Sequence, residues 1–175
     1  MALNVRTTIY REQGLLDRAA ETLAEFEAKT RQLLPPEHVA FSIIASQKGM
    51  LALARGDAQA ALAEANRSIT IAEGKKGARL SFLLLRRASI HLSGGRHDAA
   101  KSDAARALAL TQEAFGPAVH SSWNGLAHLT IARALVAEGK SDEARKAYAS
   151  ALEHLRPSLG EEHPDTLEAA SGSRY

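Results

Sequence analysis

The fold is decided by a short stretch that recurs four times, in its clearest form Gly139-Lys140-Ser141-Asp142-Glu143-Ala144. The other copies are Gly14-Leu15-Leu16-Asp17-Arg18-Ala19, Gly56-Asp57-Ala58-Gln59-Ala60-Ala61 and Gly95-Arg96-His97-Asp98-Ala99-Ala100, so the turn glycines lie 42, 39 and 44 residues apart. A glycine with positive φ ends one helix, and the Asp or Ser after it supplies a capping oxygen and first-turn negative charge to the next. Each copy therefore predicts two helices joined by a tight turn.

Apolar residues on both sides of each turn follow the period of a helix. Around Gly139 they are Leu126, Leu129, Ala132 and Leu135 before the turn and Ala144, Tyr148, Ala151 and Leu155 after it. Each hairpin thus has an apolar face that it cannot bury alone, and neighbouring hairpins are expected to stack. We expect all five prolines to fall between helices, at Pro35, Pro36, Pro117, Pro157 and Pro164.

This pattern resembles the tetratricopeptide repeat (TPR), in which small residues occupy fixed positions where helices meet. Those positions hold Gly49, Ala88 and Ala132 in the first helices and Ala19, Ala61, Ala100 and Ala144 in the second helices. The spacing exceeds the usual 34 residues and is similar to that of the longer repeats of kinesin light chains, as is the loop Leu159-Gly160-Glu161-Glu162-His163-Pro164. The resemblance implies an all-α, right-handed α-solenoid of about four helix-turn-helix hairpins.

The predicted organisation is one TPR-like domain over residues 1–170. Its repeats span 2–31, 37–73, 76–112 and 118–156, a partial fifth helix spans 164–170, and residues 171–175 form a disordered tail. A helix this short is expected to leave the face of Tyr148, Ala151 and Leu155 uncovered. We therefore expect either a homo-oligomer formed through the uncapped C-terminal repeat or a chain excised from a longer protein.

Composition narrows the class of protein. The chain has no cysteine, which excludes thiolate chemistry. Its net charge of +2 and pI near 9.0 are below what is expected of a dedicated nucleic-acid binder. It has no apolar run of about 18 to 20 residues that would span a membrane. The N-terminal residues lack the apolar segment of a secretory signal. We expect a cytoplasmic protein, and the abundance of Ala, Arg and Leu suggests a bacterial one.

The charges are distributed unevenly. Residues 38–56, 74–97 and 114–137 contain no Asp or Glu, and each span includes a first helix. The middle span is the most basic, through Lys75, Lys76, Arg79, Arg86, Arg87 and Arg96. The resemblance implies that first helices line a concave groove, so we predict that this groove binds an extended, acidic or phosphorylated segment of a partner protein.

The predicted groove residues are of three kinds. Arg86 and Arg133 would be the anchors, and Phe82, Leu85 and Leu129 would form an apolar floor. The full predicted set is Ser46, Met50, Phe82, Leu85, Arg86, Ser89, Leu126, Leu129 and Arg133. The alternative interpretation is a set of solvated helix faces whose long basic side chains cover apolar surface.

Other chemistries find little support in the sequence. Asn4, Thr8 and Gln47 replace the residues with which chaperone-binding TPR proteins hold a terminal carboxylate. The histidines lack the i, i+4 spacing of a helical zinc site, and His38, His120 and His163, which occupy equivalent loops, are expected to cap helices or pack in the loops. No phosphate-binding loop, nucleophile elbow or converging pair of acids occurs, so neither an enzyme nor a cofactor is predicted.

Nucleic-acid binding is also disfavoured. Phe82 is the one aromatic residue between Lys75 and Arg96, whereas single strands need several stacking rings. Trp123 is interpreted as a packing residue. The sequence therefore predicts a protein-interaction scaffold, or alternatively a self-associating or regulatory repeat region of a larger signalling protein such as a kinase or transcription regulator.

Overall fold

The structure is a computed structural model that describes residues 2–74, 79–116 and 119–174. Lys75 and Lys76 of the basic span, Pro117 and the tail residue Tyr175 lie outside the described residues. Within those ranges the chain forms nine α-helices and no strand. They are α1 (Leu3–Glu12), α2 (Leu16–Leu33), α3 (Ala40–Ala54), α4 (Ala58–Ala72), α5 (Arg79–Ser93), α6 (His97–Phe115), α7 (Ser122–Ala137), α8 (Ser141–Leu159) and α9 (Pro164–Gly172).

The helices belong to two compact units. Helices α1 to α4 lie in Met1–Lys76, and helices α5 to α9 lie in Gly77–Tyr175. Within the first unit α1 packs against α2 and α3 against α4, and within the second α5 packs against α6 and α7 against α8. These four pairs are the predicted hairpins, and α1, α3, α5, α7 and α9 are called first helices below. None of the described helices has both the length and the apolar content needed to cross a membrane.

All four hairpin turns are built in the same way. Gly14, Gly56, Gly95 and Gly139 have φ values of 74°, 82°, 68° and 74°, in the left-handed region that a side chain disfavours. The residue after each glycine donates its N–H to a carbonyl five positions earlier, for example Lys140 to Leu135 at 2.9 Å. This bond satisfies a carbonyl at the end of the first helix. The predicted role of the four glycines is confirmed.

The predicted capping oxygen is present in one of the four turns. Asp57 caps α4 by accepting a hydrogen bond from the N–H of Ala60 at 2.9 Å. At the starts of α2, α6 and α8 the capping residue makes no side-chain bond. There Asp17, Asp98 and Asp142 lie inside the first turn, where their charge still favours the positive end of the helix dipole.

One proline departs from the prediction. Pro157 lies inside the last turn of α8, not between helices, and Pro164 is the first residue of α9. A proline at the first helical position costs nothing, because that residue has no helical partner for its N–H. Pro157 removes one backbone hydrogen bond close to the helix end, where only two further residues follow it, and α8 continues to Leu159.

Each unit has its own apolar core. In the first unit the core contains Ala19, Leu23, Phe41, Ile44 and Leu51. In the second unit one core cluster contains Leu129, Ala132, Leu135, Ala144, Tyr148, Ala151, Leu155 and Ala169. The small residues predicted at the helix contacts are buried, among them Ala19, Ala61, Ala88, Ala100 and Ala132, all 0% exposed. These positions behave as the TPR resemblance implied.

The face of α8 that was expected to be open is covered. Helix α9 packs on α8 and places the fully buried Ala169 in the same cluster as Tyr148, Ala151 and Leu155. Ser171 and Gly172, predicted to begin a disordered tail, are the last residues of α9. Gly172 leaves room for the Tyr148 ring, which a Cβ at position 172 would approach within 2.4 Å. The expectation that this face is uncapped is wrong. The prediction of self-association depended on that uncovered face, so it loses its basis.

We expect Gly125→Ala to destabilise the protein, because an added Cβ on α7 would lie 2.5 Å from Cγ of Leu155. Overpacking of this kind costs about 1–3 kcal/mol, more than the roughly 1 kcal/mol that alanine contributes through helix propensity. Urea unfolding measures the difference. In a Leu155→Ala background the clashing atoms are gone, so the same substitution should become neutral or stabilising; an equal cost in both backgrounds would contradict the account.

Candidate functional site

A cluster of two aromatic rings and one guanidinium lies on first helices of the second unit. Phe82 and Arg86 are four residues apart on α5 and therefore share a face. The guanidinium carbon of Arg86 lies 4.6 Å from the Phe82 ring centroid, within the range of a cation–π contact. The Phe82 ring is tilted by 40° against the Trp123 ring of α7, with centroids 6.4 Å apart. All three side chains are half-buried.

The Phe82–Arg86–Trp123 cluster includes a residue that sequence reasoning left out of the site. Trp123 was interpreted as a packing residue, yet it keeps partial exposure and contacts one of the predicted groove residues. Trp123 is the second residue of α7, which is the next first helix after α5. This position in the repeat is the sequence signal that could have placed Trp123 beside α5. Equivalent first helices of adjacent hairpins are neighbours in a stack, and α5 does pack against α7.

The other predicted groove residues of the second unit differ in exposure. Ser89 on α5 is exposed and Leu126 on α7 is half-buried. Leu85 is 8% exposed and Leu129 is 0% exposed. Leu129 belongs to the core cluster with Leu155, because α7 packs on several sides and its apolar residues are divided among them. Leu129 therefore forms no part of the surface.

Residues predicted from the first unit form no comparable cluster. Ser46 is 3% exposed, and Met50 is half-buried. Next to Ser46, the Gln47 amide donates to the carbonyl of Asn4 at 3.0 Å and to Oγ1 of Thr8 at 2.8 Å. The three residues at the carboxylate-clamp positions are thus bonded to one another.

Arg133, the second predicted anchor, is bound by acids of α9. Its guanidinium donates two hydrogen bonds to the Glu168 carboxylate, at 2.8 and 2.6 Å, and one to Asp165 at 3.0 Å. Bidentate contacts of this kind are among the stronger charge-assisted bonds. In this structure Arg133 therefore joins two neighbouring first helices, and its charge is balanced within the chain.

Two further cations of the acid-free spans pair with acids of second helices. Arg87 on α5 makes a bidentate contact with the buried Asp103 of α6, at 2.7 and 2.6 Å. Lys48 on α3 lies 2.8 Å from Glu27 of α2. The uneven distribution of charge along the sequence thus partly reflects ion pairs that cross from one helix to the next. The positive bias of the surface is correspondingly smaller than the sequence alone suggests.

A groove of about 550 Å³ lies near the turns of the last two hairpins and is lined by charged residues, including Arg96, Asp98 and Lys140. One of its two acids, Glu138, is held by Lys101 and Lys140, whose hydrogen bonds lower the pKa of Glu138 to about 2. This carboxylate stays ionised near neutral pH, and its charge is balanced by two ammonium groups.

The histidines of the equivalent loops divide between capping and ring contacts. His163 Nδ1 accepts from the N–H of Asp165 at 3.2 Å, so the capping prediction is confirmed for His163. His38 Nδ1 accepts from the N–H of Ala40, the first residue of α3, at 3.1 Å, although the N-cap of that helix is Val39. His120 does not cap α7; the neighbouring Ser121 does. Within the described ranges, no group of three or more His, Asp or Glu is arranged to hold a metal ion.

Comparison with known proteins bears on the fold. No family model and no curated protein matches the sequence. Two similar solved structures are crystal structures from Podosopora anserina, described as a kinesin light chain with nearly identical TPR-like repeats, one of them a point-substituted form. Each has a TM-score of 0.72 and 19% sequence identity, covering 98% of this chain and 81% or 82% of the other. The chain therefore has the fold of TPR-like repeats, as the sequence predicted.

Replacing Arg133 by glutamine should loosen α9, since it removes a bidentate bond to Glu168 and a bond to Asp165. The pair is partly solvated, with 38% of the Arg133 side chain exposed, so we expect a cost of about 1 kcal/mol, near the upper end for solvated pairs. Hydrogen exchange of the α9 amides measures it. Arg145→Gln, which breaks an exposed contact to Asp142, is the control, and equal effects of the two would refute the assignment.

Arg87→Leu should lower the stability of the protein considerably more than Arg133→Gln does. It leaves the Asp103 carboxylate, which is only 6% exposed, without its bidentate partner. Removing one member of a buried ion pair costs about 3–5 kcal/mol. Chemical denaturation measures the loss. The double replacement Arg87→Leu with Asp103→Leu should recover much of it, and a double variant as unstable as the single one would show that the pair is not the cause.

Proposed function

We propose that the protein is an interaction module that binds an extended segment of a partner protein at the Phe82–Arg86–Trp123 cluster. The TPR-like fold generally serves as a protein-interaction scaffold and is typically non-enzymatic, because stacked hairpins present a long surface built from one helix of each pair. A fold of this kind accepts many partners. The proposal therefore depends on the surface, and the observation that carries it is the cluster itself.

The composition of the cluster suits protein recognition. Trp and Arg are enriched among the residues that contribute most to binding energy, especially where water can be excluded around them. Phe82 and Trp123 are partly exposed rings held by contacts within the unit, so little side-chain entropy remains to be lost on binding. The exposed Ser89, one turn beyond Arg86 on α5, extends the same surface with a hydroxyl group.

The charge around the cluster favours an acidic partner. Helices α5 and α7 contain no Asp or Glu, and the exposed Arg79 lies two turns before Arg86 on one face of α5. A negatively charged segment would meet no repulsion from either helix and would be attracted by both guanidinium groups. We place the acidic contacts on α5, at Arg79 and Arg86. Of the two anchors first predicted, Arg86 is therefore kept, and Arg133, which bonds Asp165 and Glu168 of α9, is not.

The test uses a fluorescein-labelled peptide of alternating glutamate and leucine and measures anisotropy at low and moderate salt. Binding should weaken as salt is raised, because the attraction between charges is screened. Arg86→Glu should weaken it roughly tenfold or more, as expected when an attractive charge contact of about 1.4 kcal/mol becomes repulsive. Trp123→Leu, which keeps an apolar side chain, should weaken it less.

Arg145→Glu is the matched control, because Arg145 is an exposed arginine on second helix α8. It changes the net charge by the same amount and should leave the peptide affinity within about twofold, since distant exposed charges are screened. Binding that ignores salt and survives Arg86→Glu, or that falls equally in the control, would refute the acidic-segment proposal.

A further inference from the structure

Three histidines that are far apart in the sequence meet at one side of the last hairpin. His154 of α8 stacks on His128 of α7 with ring centroids 5.8 Å apart and planes within 3° of parallel. His120, from the loop that precedes α7, approaches the His154 ring edge-on at 5.6 Å. His120 is exposed, while His128 and His154 are half-buried. The trio thus joins a loop and two helices through imidazole contacts.

The surroundings favour the neutral form of the two inner rings. Burial lowers the pKa of His128 and of His154, and the neighbouring imidazoles lower them further, His154 acting on His128 and His120 acting on His154. Nδ1 of His154 is buried without a hydrogen-bond partner. A proton on that nitrogen would have no acceptor and would have to remain in a poorly solvated place.

One acid opposes these effects. Glu153 on α8 attracts the protonated form of both rings and raises the pKa of each, but it ranks below burial and the neighbouring imidazole in both cases. Helices α5, α6 and α9 also pack on α7. Among the described residues, three kinds of charged or titratable group act on the inner pair. They are His120 from the loop, Glu153 from α8, and the two inner rings, His128 of α7 and His154 of α8, acting on each other.

Protonation of the trio would act directly on the packing of the hairpin. His128 precedes the fully buried Leu129, and His154 precedes the fully buried Leu155; these two leucines share the core cluster between α7 and α8. Like charges on these two rings would repel each other, and each ring is carried by a residue whose neighbour in the chain belongs to this core. A change of charge at the trio is therefore coupled to the contact between the two helices.

We propose that His120, His128 and His154 form a proton-sensitive contact that holds α7 against α8 near neutral pH and loosens this hairpin in mild acid. The direction follows from linkage: a histidine whose folded-state pKa is lowered contributes stability above its unfolded pKa of about 6.5, and this contribution is lost as pH falls below that value. The device is independent of the interaction proposed above.

Hydrogen exchange of the full chain tests the proposal. From pH 7.5 to pH 5.5, after correction for intrinsic exchange rates, amide protection in α7 and α8 should fall severalfold, because burial and the neighbouring imidazoles favour the neutral inner rings in the folded chain. Protection in α3 and α4, in the other unit, should change much less. His154→Phe keeps an aromatic ring but removes one of the two inner titrating groups, and it should clearly reduce the loss of protection in α7 and α8.

Controls separate the trio from general acid effects. His97→Gln, on α6 and outside the trio, should retain the full loss. If His154→Phe does not fold, His120→Gln at the exposed member should still reduce the pH dependence. An unchanged loss in the trio variants, or NMR titration of His128 and His154 at or above pH 6.5, would overturn the proposal.

Discussion

Close approach between helices at small side chains is the constraint on which this structure depends. Where α7 meets α8, Gly125 leaves no room for even a Cβ beside Leu155, and Gly172 of α9 does the same beside the Tyr148 ring. The alanines of the repeat act likewise at the other contacts. A single hairpin of this kind cannot hide its apolar face, so each one is completed by its neighbour within its unit. The surface that remains exposed consists of the side chains that this packing does not bury.

Charge follows the same arrangement. The first helices α5 and α7 carry no acid, but the acids that balance them arrive from elsewhere, Asp103 from α6 and Glu168 from α9. A buried pair of this type adds little net stability over an apolar pair, but removal of one partner leaves a buried charge uncompensated. Arg86 shares its face of α5 with Phe82 and belongs to the surface on which the proposed function depends.

Much of this architecture could be predicted because its causes are local. A turn glycine, a helix-period apolar pattern and an alanine at a fixed offset are all visible within a few residues, and the structure confirms them at Gly14, Gly56, Gly95 and Gly139. Contacts between residues far apart in the sequence were harder to predict. Trp123 meeting Phe82, and His154 meeting both His120 and His128, depend on the register of helices that no single-sequence pattern fixes.

Two errors have physical reasons of the same kind. Leu129 has the right residue type and spacing for a groove, but α7 is surrounded on several sides and the residue faces α8. Ser171 and Gly172 look like a flexible tail by composition, yet they are the last residues of α9, and Gly172 packs closely against the Tyr148 ring. In both cases the decisive information was the shape of a neighbour.

The exposed positions of α5 can tolerate substitution. Arg79 and Ser89 lie at the surface, while the buried residues of the same helix, such as Leu83 and Ala88, fill the interior. Substitutions at these outer positions should cost little folding stability, because surface substitutions usually change it by less than about 0.5 kcal/mol. One helix thereby separates the part of the sequence that must be preserved from the part on which selection can act freely.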